Sequence, residues 1–226
     1  MKLVHPFFKM QIVLSNCFIT ELIIEEPNTM YDLTFDLYNQ YMGNSGNFVL
    51  SKNLDILDIS KVSEVILNPF QIDLNNRKIT KKLYTILKNE ILSTELLEDF
   101  SKISQDIYNL ADKLADTSVY NLSFSVNEDA EEFLKYIKVK IQDDESTSLT
   151  EKVIDFLNIS SSLLNIKLLI MLNARSFISD DNICHIYKEA MYKNVSLLLL
   201  ESSAKKQLEQ SKRFIIDKDL CEIYDE

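Results

Sequence analysis

Residues 165–201 read N-IKLLIML-NARSFI-SDDNICHIYKEAMYKN-VSLLLL-E, two short apolar runs separated by a segment of helical periodicity. The first run, 166–172, ends in polar Asn173, and the second, 195–200, ends in Glu201. Between them Ile183, Ile186, Tyr187, Ala190 and Met191 recur at helical spacing. Ser179 is placed to cap that helix, and Asp180 and Asp181 lie where its positive end favours anions. A strand, a helix and a strand in this order leave no room for a hairpin, so the strands are parallel and joined by a right-handed crossover. Runs this apolar need cover on both faces. The pattern predicts an α/β domain, with any site beyond the carboxyl ends of its strands, near Asn173 and Glu201.

The 226 residues are 46% hydrophobic, enough for one sizeable core or a core with a helical appendage. Only two glycines and three prolines are present, which predicts loops without unusual backbone angles and long helices. Cys17, Cys184 and Cys221 lack CxxC spacing; they argue against a disulfide framework or zinc site and fit a reducing cytoplasm. The opening MKLVHPFFKMQIVLSNCF is broken by Lys2, His5 and Lys9, and is expected to be neither a signal peptide nor a membrane span. A formal charge of −11 runs against nucleic acid or an acidic membrane as partner.

Along the chain, residues 10–14 and 18–24 read as an antiparallel ribbon bent at Ser15-Asn16. Pro27-Asn28 caps a helix over 29–41, whose Tyr31, Phe35, Tyr38 and Tyr41 read as core. Short strands are expected at 48–50 and 54–57, then a helix at 60–67 ended by Asn68-Pro69. From 79 to 117 helix formers dominate, with a joint at Ser93-Thr94. Leu96, Phe100, Ile103, Ile107, Leu110 and Leu114 step 4, 3, 4, 3, 4, an a/d seam that suits either an intramolecular hairpin or a subunit contact. Beyond it come an extended stretch at 122–124, a helix at 127–137, extended residues at 139–141, a charged loop at 142–146 and a helix at 150–161. After the βαβ unit, 202–210 reads as helical, and 213–216 and 222–224 as final strands.

Nucleotide chemistry is not written in this chain. A phosphate loop needs GxxxxGK[ST] so that backbone amides close on phosphate, and Gly43 and Gly46 are the only glycines. The strand 166–172 resembles one that ends in a magnesium-holding acid, but Asn173 stands there. His5 and His185 form no HExxH motif, and His185 reads as a packed or surface histidine. Arg175 suits an anion or a structural ion pair with Glu201 or Asp180. Asn127, Glu128, Asp129 and Glu132, with Glu131, offer oxygens fit for calcium or form a solvated helical face; they lack EF-hand spacing. Lys205, Lys206, Lys212 and Arg213 cluster as an anion-binding surface or a solvated one.

Five segments in order resemble the short form of the CRISPR-associated adaptation protein of type II-A systems. They are TEKVIDFL (150–157), KLLIMLNARSFISDD (167–181), YKNVSLLLLE (192–201), RFIIDKDL (213–220) and NPFQIDLNNRKITKKLYTILKNEI (68–91). The resemblance implies an α/β fold: a P-loop-NTPase-like head, 1–78 and 138–226, with a degenerate nucleotide site and an inserted α-helical leg, 79–137. It implies no enzymatic activity. The expected function is a homotetrameric ring holding linear double-stranded DNA ends in a lysine-lined hole, stabilised by calcium, beside the integrase and effector nuclease of spacer acquisition. Ser123, Ser125 and Asn127 stand where the family carries acids, whereas Glu128 and Glu132 match retained ones, with Asp129 their neighbour. Lys205, Lys206, Lys212 and Arg213 are assigned to DNA from local charge alone. Four chains at −11 give −44, but fields fade over about 8–10 Å at physiological salt, so a basic inner wall can coexist with an acidic rim. An acidic adaptor docking adaptation proteins without holding DNA is the alternative. A metal-dependent nuclease using Glu128, Asp129 and Glu132 is a third.

Overall fold

The computed structural model describes residues 1–143 and 147–225; residues 144–146 of the expected charged loop lie outside them. The chain divides into two compact units, Met1–Leu74 with Asp144–Glu226, and Asn75–Asp143.

The first unit is built on a six-stranded sheet. Its strands are β3 (Ile19–Ile24), β6 (Ser63–Ile66), β7 (Leu168–Leu172), β8 (Ser196–Glu201), β9 (Ser211–Ile216) and β10 (Glu222–Asp225), in the order β10-β9-β3-β8-β7-β6. All pairs are parallel except β9 with β10. The βαβ unit forms as expected: β7 and β8 pair in parallel from Leu168↔Ser196 to Leu172↔Leu200, joined by helix α7 (Asp180–Tyr192). Ser179 caps α7 by accepting the Asn182 N–H at 3.4 Å. Ile183, Ile186, Tyr187 and Ala190 are buried, whereas Met191 faces water.

Alternation along these strands sends Leu22, Ile24, Leu168, Ile170, Leu198 and Leu200 to one face. There they meet Met30, Leu33 and Leu37 of helix α1 (Pro27–Tyr41) in one core cluster. The intervening Ile23, Leu169, Met171, Leu197 and Leu199 are equally buried, on the side where α7 packs with helix α6 (Leu149–Ile159). Each such leucine contributes about 1.5–3 kcal/mol. A capping box opens α6: Ser148 Oγ accepts the Glu151 N–H, and Glu151 Oε2 accepts the Ser148 N–H at 2.8 Å. A second sheet, β2-β1-β4-β5, adds Leu3, Ile12 and Leu50 to the same core. It contains β1 (Lys2–Val4), β2 (Ile12–Val13), β4 (Val49–Lys52) and β5 (Asp55–Leu57).

Several expectations are corrected here. The ribbon of 10–14 with 18–24 does not form: β2 pairs with β1, and β3 lies at the centre of the large sheet, fully buried. The helix expected at 60–67 is one turn, α2 (Ile59–Val62), followed by edge strand β6. Residues 202–210 are not helical. Tyr31 and Phe35 do not enter the core; they face solvent and stack on each other, with centroids 5.7 Å apart. Unusual backbone angles are present despite the scarcity of glycine. Among the described residues seven others take positive φ; four are Asn53, Asn165, Asn173 and Asn194, whose short polar side chain tolerates the left-handed region. Leu54 is the costly case: with Asn53 it turns β4 into β5 at φ 75°, fully exposed.

The second unit is helical. Helix α3 (Arg77–Ser93) joins α4 (Leu96–Thr117) at Thr94, and the chain returns through α5 (Ala130–Tyr136). This last helix starts later than expected because Asp129 caps it, accepting the Glu131 N–H at 2.7 Å. Phe133 packs edge-on against Phe100 of α4. The entry and exit of the unit are clasped: Asn75 Nδ2 donates to the Ile141 carbonyl at 3.0 Å, and Asn75 Oδ1 accepts the Ile141 N–H at 2.8 Å.

Candidate functional site

Beyond the carboxyl end of β3, the chain turns through Glu25 and Glu26 into α1. A helix start at this position offers free N–H groups to an anion. Here the anion is the chain's own. Glu26 Oε2 accepts the Thr29 N–H at 2.6 Å and the Thr29 hydroxyl at 2.8 Å, and Oε1 accepts the Asn28 N–H at 3.0 Å. The backbone bonds from Asn28 and Thr29 hold the Glu26 carboxyl below the usual glutamate range. Pro27 supplies no N–H at all.

Asn173 and Glu201, the two positions marked at the strand ends, are both committed to local structure. Asn173 takes φ 47°, and its Oδ1 accepts the Ser202 N–H at 2.8 Å, tying the end of β7 to the end of β8. Glu201 is buried and accepts the Arg175 N–H at 3.1 Å; burial raises its pKa. Arg175 is the ion pair expected, and more. Its guanidinium meets Asp180 at 2.9 Å, Glu21 at 2.7 Å and the Lys206 carbonyl at 2.6 Å. Glu21, wholly buried in β3, is a partner that sequence reasoning missed; an acid inside the apolar strand ITELII is the signal that could have found it.

The basic cluster comes together around this network, but its members differ in what they offer. Arg213 is buried, 3.5 Å from Glu21, and donates to the Lys205 carbonyl at 2.6 Å. Lys205 is half-buried, its ammonium donating to the Arg175 carbonyl. Both therefore hold the 202–210 segment to the sheet. Lys206 is exposed, and Lys212 is half-buried with its amine 5.3 Å from the Phe18 ring.

The acids of the second unit are not gathered. Asn127 Oδ1 accepts the Asp129 N–H at 3.0 Å. Both Asp129 oxygens face Lys88 Nζ, at 2.9 and 3.1 Å, and that contact holds the carboxyl below its usual range. Glu132 pairs with Lys135 at 2.9 Å. Glu128 faces a cavity of about 320 Å³ beside Ser101, Ser104 and Gln105. Among the described residues no three His, Cys, Asp or Glu side chains stand close enough to hold a metal ion. Lys88 was not visible in advance, because 41 residues separate it from Asp129.

Two apolar surfaces complete the picture. Along α4, Phe100 is buried, whereas Leu96, Ile103, Ile107, Leu110 and Leu114 are 41% to 60% exposed. In the first unit a cleft of about 350 Å³ at the end of β7 is lined by Met30, Tyr31, Phe35, Tyr38, Leu67 and Leu172. His185 is exposed, and His5 pairs with Asp36 at 3.1 Å. Among the described residues no helix is long and apolar enough to cross a membrane.

The family model for CRISPR-associated protein (Cas_Csn2) matches residues 40–220, from the end of α1 through β9 and most of the chain between. The match spans both the parallel sheet and the helical unit, and the chain belongs to the Cas_Csn2 family, the type II-A CRISPR adaptation proteins.

Proposed function

We propose that the chain is a non-catalytic binder of linear double-stranded DNA ends in the cytoplasm, working as a homotetrameric ring during CRISPR spacer acquisition beside the integrase and effector nuclease. The observation that carries this reading is the α4 seam, which a single chain leaves in water along five of its six apolar positions. A contiguous apolar stripe of this kind marks a contact with another surface, and heptad spacing suits a second helix. A P-loop-like origin for the head is supported by central β3 leading directly into α1, as the phosphate-loop strand does in that fold. With Glu26 as the cap and no glycine in the turn, the geometry favours loss of nucleotide binding. Lys206 and Lys212 are the basic side chains of the 205–213 cluster left to reach phosphate. Such contacts carry no sequence information, as a protein that takes any DNA end requires. Calcium has no step in this mechanism.

The acidic adaptor is the second reading, favoured by the formal charge of −11 and by the exposed aromatic cleft around Tyr31 and Phe35. One experiment separates the two: binding at moderate salt to a linear duplex and to the same sequence as a sealed circle. A closed ring threads onto a free end and cannot reach the circle. Binding of the linear form alone supports the ring, equal binding of both overturns it, and binding of neither moves the function to the adaptor.

A further inference from the structure

Of the carboxylates considered for calcium, Asp129 and Glu132 are answered by the chain's own amines. We infer that Lys88 and Lys135 stand in place of a divalent ion in the helical unit, so that its fold does not draw on calcium. Lys88 Nζ lies 2.9 and 3.1 Å from the two oxygens of Asp129, so an ion chelated by that carboxylate would sit beside an ammonium. Asp129 Oδ1 is further used by the Glu131 N–H. On α5, Lys135 Nζ is 2.9 Å from Glu131 and 2.9 Å from Glu132. Calcium requires six to eight oxygens at about 2.3–2.6 Å. Of the candidate ligands, Glu128 alone makes no hydrogen bond or ion pair among the described residues, and one carboxylate is no cage.

The Lys88 contact does the structural work expected of an ion. It fastens α3 to the start of α5 across 41 residues. One turn earlier, Tyr84 donates its hydroxyl to the Val139 carbonyl at 3.1 Å, so two side chains on one face of α3 hold the returning segment. An ammonium is always available at cellular pH, whereas calcium must be supplied; a unit closed by lysine is constitutively closed.

Thermal unfolding of the full chain in excess calcium chloride and in chelator tests this, and its readout does not depend on DNA binding. The wild-type midpoint is expected to be the same in both. Lys88→Met is expected to melt lower in chelator and to recover in part with calcium, and Lys88→Met with Lys135→Met should bind calcium about tenfold more tightly than wild type by titration calorimetry, since a like charge is removed at contact distance. Lys88→Arg, which keeps the charge, should match wild type and serves if the methionine variants fail to fold. A wild-type midpoint that rises with calcium overturns the inference, as does a Lys88→Met variant indistinguishable from wild type in chelator.

Discussion

Glu21 is surrounded by two guanidiniums inside the sheet, with Arg175 at 2.7 Å and Arg213 at 3.5 Å. Glu21→Ala leaves Arg213 buried without a carboxylate and Arg175 with Asp180 alone, a change that costs about 3–5 kcal/mol. Urea unfolding should report a loss of that size, with hydrogen exchange quickening in 202–210, whose carbonyls those guanidiniums hold. Glu201 behaves in the opposite sense. Burial raises its folded-state pKa, so the native chain holds a proton more tightly there than the unfolded chain does. Its contribution to stability is full below the ordinary glutamate value and is lost as pH rises through the raised one. Glu201→Gln keeps an acceptor for the Arg175 N–H and removes the titration. Melting curves should show the variant gaining on wild type as pH climbs from 4 to 7, and a constant difference across that range would refute the assignment. At this scale the sequence was half transparent. Arg175 with Asp180 is five residues of local spacing, whereas Glu21 lies 154 residues from Arg175, and no local pattern announces such a pair.

Among the elements, the β4–β5 hairpin carries a visible cost. Asn53 and Leu54 both take positive φ, the two-residue turn that Asn-Gly fills best. A leucine in that region costs about 1–2 kcal/mol, and Leu54, fully exposed, recovers nothing by packing within the chain. Leu54→Gly should raise stability by about 1 kcal/mol, read as a higher urea midpoint with unchanged slope. The elements most legible in advance were those whose pattern admits one reading. β7, α7 and β8 combine two short apolar runs with a capped amphipathic helix. Ser63–Ile66 is four residues long, too short for period to separate helix from strand, and only its pairing with β7 makes β6 a strand. Residues 202–210 have helix-forming composition. There the Lys205 and Lys206 carbonyls, which a helix would use, are taken by Arg213 and Arg175. The acid-rich stretch before α5 is legible as a helix start, three residues early, but the lysines that meet its acids come from another turn and another helix, beyond the reach of local pattern.

For the whole molecule, the exposed seam predicts an assembly that can be dissolved without unfolding the chain. Ile103 and Ile107 lie in water in the single chain, at 41% and 46% exposure. Ile103→Asp with Ile107→Asp should therefore leave circular dichroism unchanged while light scattering falls from an oligomeric mass to that of one chain. An unchanged mass would place the subunit contact elsewhere. Loss of DNA binding alongside loss of mass would tie the two as a ring requires. The clasp between Asn75 and Ile141 has a further consequence. It brings the two ends of a segment of some seventy residues within one hydrogen-bonded pair, so the rest of the chain meets the insertion as though it were a tight loop. Loop-closure entropy grows only slowly with length once ends are joined. A helical insert gripped in this way is a cassette: its length can change without parting its two ends, whose spacing the Asn75–Ile141 pair already sets.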